Sequence, residues 1–432
     1  MIRKWAFLPL ALLFLIVQSG PALTLEEAIA LGKQRSLKME EPRIEELRTR
    51  GRIHEAWSNA LPQVDGLAAY QRYFRPAKVF FNGGQYEMQQ DNNALAEATL
   101  TQPLFTFGRI SAGLRAAYAA HRSQEHLKSN TERALELEIT RRYCTVLLLR
   151  DVLAARRGSL AISDSSLVRV RRMRNVGLMS DYDVLRVQVQ ASNQVPQMQQ
   201  AENDLHLAEL SLFELLGIPL DTTLSVDGDL QTYATSLTVD TSAADYSKRD
   251  DLEALRDLTQ LYRNVYVLNR NADLPVLAGQ MKYSWQWTSD KWIADSTNNF
   301  SAFYAGVSLS VPLWSSGKTM GKAQQAKADW RRSQLDLAQA ERGAKLQLES
   351  AIRSYETAQA SESSARLTVE QAQEARHIAE TKLAQGQITP LEMDAAQLDE
   401  LVARVTLAQA TYNRIVAAAE TRMALGLTPY IQ

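Results

Sequence analysis

The sequence predicts an α+β membrane protein made of one unit written twice, with four β-strands and two very long helical hairpins per chain. Three observations predict it. The stretches "TQPLFTFGR" (101–109) and "SVPLWSSGK" (310–318) repeat one pattern, polar–x–Pro–Leu–aromatic followed by Gly and a basic residue, with Pro103 and Pro312 lying 209 positions apart. Segments of about ten residues alternate apolar and polar side chains, the period of a strand with one buried face. No proline interrupts the chain between Pro103 and Pro196 or between Pro312 and Pro390, and heptads run through both spans.

The repeat holds beyond its opening motif. Gly177 maps onto Gly386 and Gly217 onto Gly426 at the same offset of 209. Upstream, "NALPQVDGLAAYQ" resembles "NADLPVLAGQMKY" at an offset of 213, so the loops between the paired strands differ in length. The organisation read from this is a leader over 1–22, a first repeat over 23–217, a connecting segment rich in Thr, Ser and Asp over 218–247, and a second repeat over 248–432. Each repeat reads helix, strand, loop, strand, very long helix, tight turn, helix.

The strand pairs fall at roughly 63–74 with 94–104, and from Leu277 to Trp287 with Phe303 to Leu313. In the second pair Met281, Tyr283, Trp285 and Trp287 share one face, and Gln280, Lys282, Ser284 and Gln286 the other. Ten residues suit a membrane-spanning strand, and Trp285, Trp287, Trp292 and Trp314 suit an interfacial girdle. The long helices are predicted over 109–173 and 318–382, about 100 Å each at the helical rise. Helices of that length need lateral partners. Ala344, Ala351, Ala358, Ala365, Ala372 and Ala379 recur every seven residues, and Leu398, Leu401, Val405, Ala408, Tyr412 and Ile415 step by three and four. Gly177 and Gly386 are predicted to end the long helices. Ser180 with Asp183, and Thr389 with Glu392, have capping-box spacing for the helices that follow.

Composition excludes several classes. Lys plus Arg is 48 and Asp plus Glu is 49, so no basic excess points to nucleic acid. Residues 1–22 combine Arg3 and Lys4, a short apolar run and a small-residue end at Ala22, the pattern of a cleaved secretory signal peptide. The single cysteine, Cys144, reads as a small apolar core residue and permits no intrachain disulfide. The five histidines form no metal-binding spacing and read as solvated lone residues. The ten methionines form no close cluster, and no phosphate loop or nucleophile elbow occurs. The reading is therefore of a non-enzyme without cofactor or metal. Arg169, Arg171, Arg172 and Arg174 form a basic cluster beside the first helical turn.

A lipid-facing sheet must close, because lipid satisfies no open strand edge. Four strands per chain therefore call for further copies, two giving eight strands and three giving twelve. In each motif the Pro (Pro103, Pro312) is expected to end ladder pairing, the aromatic to anchor the interface, and the Gly (Gly108, Gly317) to swing the chain into its helix. On "ALPQVDGLAAY", "TQPLFTFGR", "VPLWSSGK", the "NVGL" turn and the "LLGI" and "ALGL" helix ends, residues 23–432 resemble outer-membrane efflux proteins of the TolC kind. The resemblance implies a homotrimer: a twelve-stranded barrel in the outer membrane, continued through the periplasm by a barrel of α-helices. It implies a passive exit duct for efflux or type I secretion, joined to an inner-membrane transporter through a periplasmic adaptor. A soluble periplasmic coiled-coil scaffold accounts for the helices and leader but not for the aromatic strands. The resemblance also implies a gate at the helical tips. Asp183 matches an Asp of that gate, whereas Leu383 and Ile388 stand at its Tyr and Arg positions. The expectation is then an acidic constriction from Glu392 and Asp394, with mutually raised pKa values, and Asp183 paired with Lys382 or Arg174.

Overall fold

The structure is a computed structural model that describes residues 23–87, 90–221, 224–239, 245–291 and 299–430. The leader predicted over 1–22 and Trp292 lie outside these residues. In chain order the first elements are α1 (Leu25–Arg35), a 3-10 turn (Leu37–Met39), α2 (Glu40–Ser58), β1 (Gln63–Arg72), β2 (Lys78–Phe81), β3 (Gly84–Glu87) and β4 (Asn92–Phe105). The helices α3 (Arg109–Asn175), α4 (Asp181–Leu216), α5 (Leu230–Ser236) and α6 (Asp250–Arg270) follow. The chain ends with β5 (Val276–Ser289), β6 (Asn299–Ser310), α7 (Lys318–Ala384) and α8 (Pro390–Ala424). α3 and α7 each have 67 residues and begin and end 209 positions apart, the offset of the motif. Contacts divide the chain into a sheet unit (40–130 and 247–345) and a helical unit (up to 39, 131–246 and from 346).

In the sheet unit, β1, β4, β5 and β6 form one antiparallel sheet in the order β1-β4-β5-β6. Register fixes its faces, because directly opposed residues share a side. Tyr70, Ala94, Trp287 and Asn299 form one row, and Gly66, Ala98, Tyr283 and Phe303 another. Apart from polar residues toward the Arg72 end and Gln102 at the other, this face is built of Gly, Ala and larger apolar residues. The opposite face carries Asp65, Glu97, Thr99, Lys282 and Ser284, with Lys282 Nζ 2.7 Å from Glu97 Oε1. In β1 the row on this apolar face is Val64, Gly66, Ala68 and Tyr70. Trp285 is exposed on this face, whereas Trp287, expected in the same girdle, is only 9% exposed. β1 and β6 are the outer strands, each with one edge that pairs with no other strand among the described residues.

Helices of the sheet unit meet through polar side chains. Arg122 donates from Nε and Nη2 to Asp257 Oδ1 at 3.0 and 2.8 Å. Thr49 Oγ1 lies 2.9 Å from His121 Nδ1, and His126 lies 3.6 Å from Asp250 and 3.8 Å from Asp257. The expectation of solvated lone histidines fails for these two, because α2 and α6 pack against the start of α3.

The helical unit has a core around Tyr143 of α3, which is fully buried with Leu25, Ile139, Leu212, Leu216, Leu237 and Ile415. Its hydroxyl donates to Leu23 O at 2.9 Å and closely approaches Asp227 O. Leu23 itself bridges Val226 as a parallel one-residue ladder. Cys144 lies in this core, and burial pushes its thiol up to about 12. The segment 218–247, read as a connection, thus contributes core: Val226, Leu230, Ala234 and Leu237 are buried. Its Thr-, Ser- and Asp-rich composition hid these four apolar residues.

Along α7 the covered positions step by four and three: Leu348, Ala351, Tyr355, Ala358, Glu362, Ala365, Val369, Ala372, Arg376, Ala379 and Leu383. Alanine at every second step permits close helix approach. Two buried seam carboxylates are neutralised by cations. Buried Glu362 is paired with Arg366 of its own helix at 3.2 Å and, more closely, with Arg414 of α8. Buried Glu400 of α8 is paired with Arg404 at 2.5 Å and with Arg376 at 2.6 Å, the latter an ion contact without hydrogen-bond alignment. Removing both cations from such a buried carboxylate would leave its charge uncompensated, at a cost of about 3–5 kcal/mol.

The face assignment is testable. Trp285→Lys places a charge on the apolar face and should cost up to ~2–4 kcal/mol of stability in a bilayer, depending on depth. Ser284→Lys lies on the polar face and should be mild. Heat-modifiable folding in lipid measures both; equal losses would show that the faces are misassigned.

Candidate functional site

Two places concentrate the repeated motifs: the strand-to-helix turns of the sheet unit and the hairpin tips of the helical unit. At the first turn, pairing does not stop at Pro103. Pro103 still opposes Ala278, and after a register shift Phe105 opposes Leu277. Leu104 reaches the apolar face, 3.7 Å from where a Cβ on Gly279 would lie. The bulge thus sets Leu104 and Phe105 on one side, which strict alternation forbids. This corrects the expectation that the proline ends the ladder: Pro103 lacks only a donor, and the bulge absorbs that loss. In the second repeat β6 does end at Ser310, before Pro312, and Leu313 and Trp314 are exposed.

Both turns pass through two successive left-handed residues, Phe107 and Gly108 (φ 48 and 79) and Ser316 and Gly317 (φ 50 and 78). A non-glycine residue tolerates the smaller angle, and glycine meets the larger one without a Cβ clash. The segment after α6 anchors both turns. Asn271 Nδ2 donates to Phe107 O at 3.1 Å, while Ser315 and Thr319 donate to the Asp273 carboxylate at 2.8 and 2.6 Å. Sequence reading missed this anchor; its signal is the run "NAD" placed between α6 and β5.

At the tips, each long helix ends on a left-handed glycine, Gly177 (φ 79) and Gly386 (φ 72). Leu178 N donates to Met173 O and Gln387 N to Lys382 O, both at 2.9 Å, so the last turns close by the Schellman pattern. The next helices start with reciprocal caps. Asp183 N donates to Ser180 Oγ while Ser180 N donates to Asp183 Oδ2 at 3.1 Å, and Thr389 N donates to Glu392 Oε2 at 2.7 Å. These bonds favour the ionised form, so Asp183 and Glu392 both titrate below their usual ranges.

The structure distributes the tip charges differently from the sequence reading. Arg174 pairs with Asp181 at 2.8 Å, not with Asp183. Lys382 forms no ion pair among the described residues. Asp394 is buried and lies 3.4 Å from Arg169, joining α8 to α3. Asp394 therefore belongs to a helix seam; stepping the α8 pattern back four residues from Leu398 lands on it. Glu392 is exposed, and its carboxyl is lowered rather than raised within the chain, because the backbone and side-chain hydrogen bonds from Thr389 outweigh desolvation. Among the described residues no group of three His, Cys, Asp or Glu side chains could hold a metal ion.

A four-stranded antiparallel sheet, a strand-to-helix turn used twice and two long helical hairpins make up the chain. The sequence matches the outer membrane efflux protein family over residues 29–218 and 246–427, one match in each repeat. The chain belongs to that family, whose place is the outer membrane. Compared with curated proteins by sequence, it matches none. Among solved structures it is similar to CusC, described as forming a transmembrane channel (TM-score 0.78, 15% identity, 93% of this chain and 92% of CusC). It is similar also to VceC of Vibrio cholerae (0.76, 16%, 93% and 96%) and to the outer membrane channel CmeC of Campylobacter jejuni (0.75, 14%, 94% and 86%).

The depressed carboxyls at the two tip caps give a pH dependence of definite sign. Their contribution is present above the unfolded carboxylate range, near pH 4, and is lost as pH falls through the lower folded values. Amide exchange in the first turns of α4 and α8 should therefore accelerate below about pH 4 while the core around Tyr143 stays protected. Exchange at these turns that is indifferent to acid would contradict the capping role.

Proposed function

We propose that three copies of this chain form a passive exit duct. Their four-stranded sheets close into a twelve-stranded barrel, and their helical hairpins enclose a conduit in the periplasm. The observation that carries this reading is the sheet itself: one face is apolar, and both outer strands have an unpaired edge. An apolar face suits lipid, and lipid tolerates no free edge, so the edges must meet those of other copies. No helix among the described residues is long and apolar enough to cross a membrane, so the strands are the elements offered to the bilayer. Such a duct serves efflux or type I secretion when joined to an inner-membrane transporter through a periplasmic adaptor, and the energy comes from that transporter.

The tips regulate passage in this reading. Glu392 is exposed at the start of α8, and three copies around a common axis bring three ionised carboxylates together. A ring of carboxylates favours cations over anions. Asp183 and the Arg174–Asp181 pair flank the first tip, and the Arg169–Asp394 pair holds the two hairpins of one chain together.

Single-channel recording on reconstituted protein tests the duct and its ring together. Wild type should conduct, prefer cations and be blocked by multivalent cations from the helical side. Glu392→Gln should lower both the preference and the block by several-fold. Absence of conductance in membrane-inserted oligomers would contradict the duct, and conductance with unchanged selectivity in the variant would reduce Glu392 to a helix cap.

A further inference from the structure

The repeated motif ends differently in its two settings, and the difference points to a neighbouring copy. The ladder of β1 with β4 ends at Gln63 and Thr101, and that of β5 with β6 ends at the equivalent pair, Val276 and Ser310. β4 nevertheless runs on to Phe105, because β5 lies on its other side and pairs with Pro103 and Phe105. β6 has no strand on that side among the described residues and stops at Ser310, leaving Leu313 and Trp314 90% and 86% exposed. Their counterparts in the first repeat are Leu104 and Phe105. Leu104 rests against a glycine, since a Cβ on Gly279 would lie 3.7 Å from it. The counterpart of Gly279 is Gly66, and a Cβ there would meet nothing within 4 Å.

Register makes the comparison quantitative. Adding 213 to the numbers of β1 and 209 to those of β4 turns the first ladder into the second: Gln63–Thr101 becomes Val276–Ser310, and Tyr70–Ala94 becomes Tyr283–Phe303. The offsets of the sequence repeat are therefore offsets of strand pairing as well. The joint between the two repeats is the β4–β5 ladder. Carried forward by the same offsets, that ladder specifies a joint between β6 and β1 of the next copy. Leu100–Met281 becomes Leu309 with Ala68, Ala98–Tyr283 becomes Val307 with Tyr70, and Phe105–Leu277 becomes Trp314 with Val64. The faces agree, whereas a slip of one residue would set Val307 and Leu309 beside the polar face of β1.

We propose that β6 pairs with β1 of the next copy in this register, and that Leu313 and Trp314 of one copy close over Gly66 and Val64 of the next. This rests on the reading that copies meet edge to edge, and adds to it the register and the contacts. Head-to-tail joints of one kind form a ring when their rotation closes. In the ring β6 extends to Trp314 with a bulge at Leu313, as β4 does at Leu104. The helices follow the same succession. α3 packs on α6, where Arg122 reaches Asp257 and Ser123 donates to Ala254 O, each at 2.8 Å. α7 correspondingly packs on α2 of the next copy, covering Leu335 on one side and Ile44 and Leu47 on the other, all exposed in the single chain.

Oxidation of double-cysteine variants in native membranes tests the register; Cys144 is buried and does not compete. Leu309→Cys with Ala68→Cys occupies directly opposed positions, about 4.5–5.5 Å apart at Cα and within disulfide reach. Leu309→Cys with Gly66→Cys or with Tyr70→Cys represents the two slips that keep the faces, at about 7–8 Å. The first pair should link copies at least about tenfold faster than either slip, because disulfide geometry is narrow. On the polar face, Ser308→Cys with Ala69→Cys should link as readily, so the result does not hang on one site. Faster linkage through a slipped pair would overturn the register, and so would failure of both predicted pairs in membrane-inserted oligomers. Gly66→Phe should lower the temperature at which the oligomer dissociates by several degrees, and Gly66→Ala should not, since Leu313 leaves room for a methyl but not a ring. A Gly66→Phe oligomer as heat-resistant as wild type would remove Leu313 from the joint. Failure of the edge-to-edge reading itself looks different: no pair along β1 and β6, slipped or not, would link copies.

Discussion

An unpaired strand edge cannot face hydrocarbon, and the remaining features of this chain answer to that constraint. Each exposed backbone N–H or C=O in lipid costs several kcal/mol, and an edge strand presents a row of them. β1 and β6 are such edges, and the apolar face they border makes water an equally poor solvent for the sheet. In the proposed duct further copies of the chain meet those edges, and the repeat makes that economical in sequence. Each half donates one strand pair and one helical hairpin, joined by the same turn. The turn is a device of backbone geometry: two left-handed residues, then a helix, tied to Asn271 or Asp273.

The helical unit faces a different difficulty, because helices of 67 residues have too little apolar surface for an ordinary core. Alanine seams let them approach closely, and each close approach gains dispersion contacts that are small singly and large in sum. The charged seam residues Glu362, Arg376 and Glu400 are costly to desolvate, yet each faces an opposite charge. Such pairs add little net stability over an apolar seam but penalise any slipped register, since a slip leaves a buried charge alone. For two helices that must stay aligned over many turns, fixed register is the property that function requires. The core around Tyr143 then fastens α3 to α4, α8 and the 218–247 segment.

Much of this was legible in the sequence because its signals are periodic. The ends of α3 and α7 fall within two residues of the spans set by proline-free heptads, since Gly177, Gly386, Ser180 and Thr389 are chemically marked stops and starts. The alternation in β5 and β6 was legible for the same reason. What stayed hidden depends on residues far apart in sequence. The bulge at Leu104 exists only against β5, and the face assignment of β1 only against β4. Asp394 was read as a channel residue from the family resemblance at the tips; its partner Arg169 lies 225 positions away. The β2–β3 hairpin was passed over as loop, although "NG" flanked by aromatic residues marks such a turn. The core within 218–247 was masked by its polar neighbours.

The central claim is that β1 of one copy pairs with β6 of the next, and cysteine cross-linking across that seam tests it most directly. Within one chain these strands are three inter-strand spacings apart, about 14 Å, too far for a disulfide. Single cysteines would be placed in turn along the apolar row of β1, from Val64 to Tyr70, each combined with one along β6, from Phe303 to Leu309. For one register, oxidation in native membranes should give a ladder ending at a covalent species of three copies. A membrane-inserted protein in which no pair links copies, or in which linkage stops at two, would contradict the account.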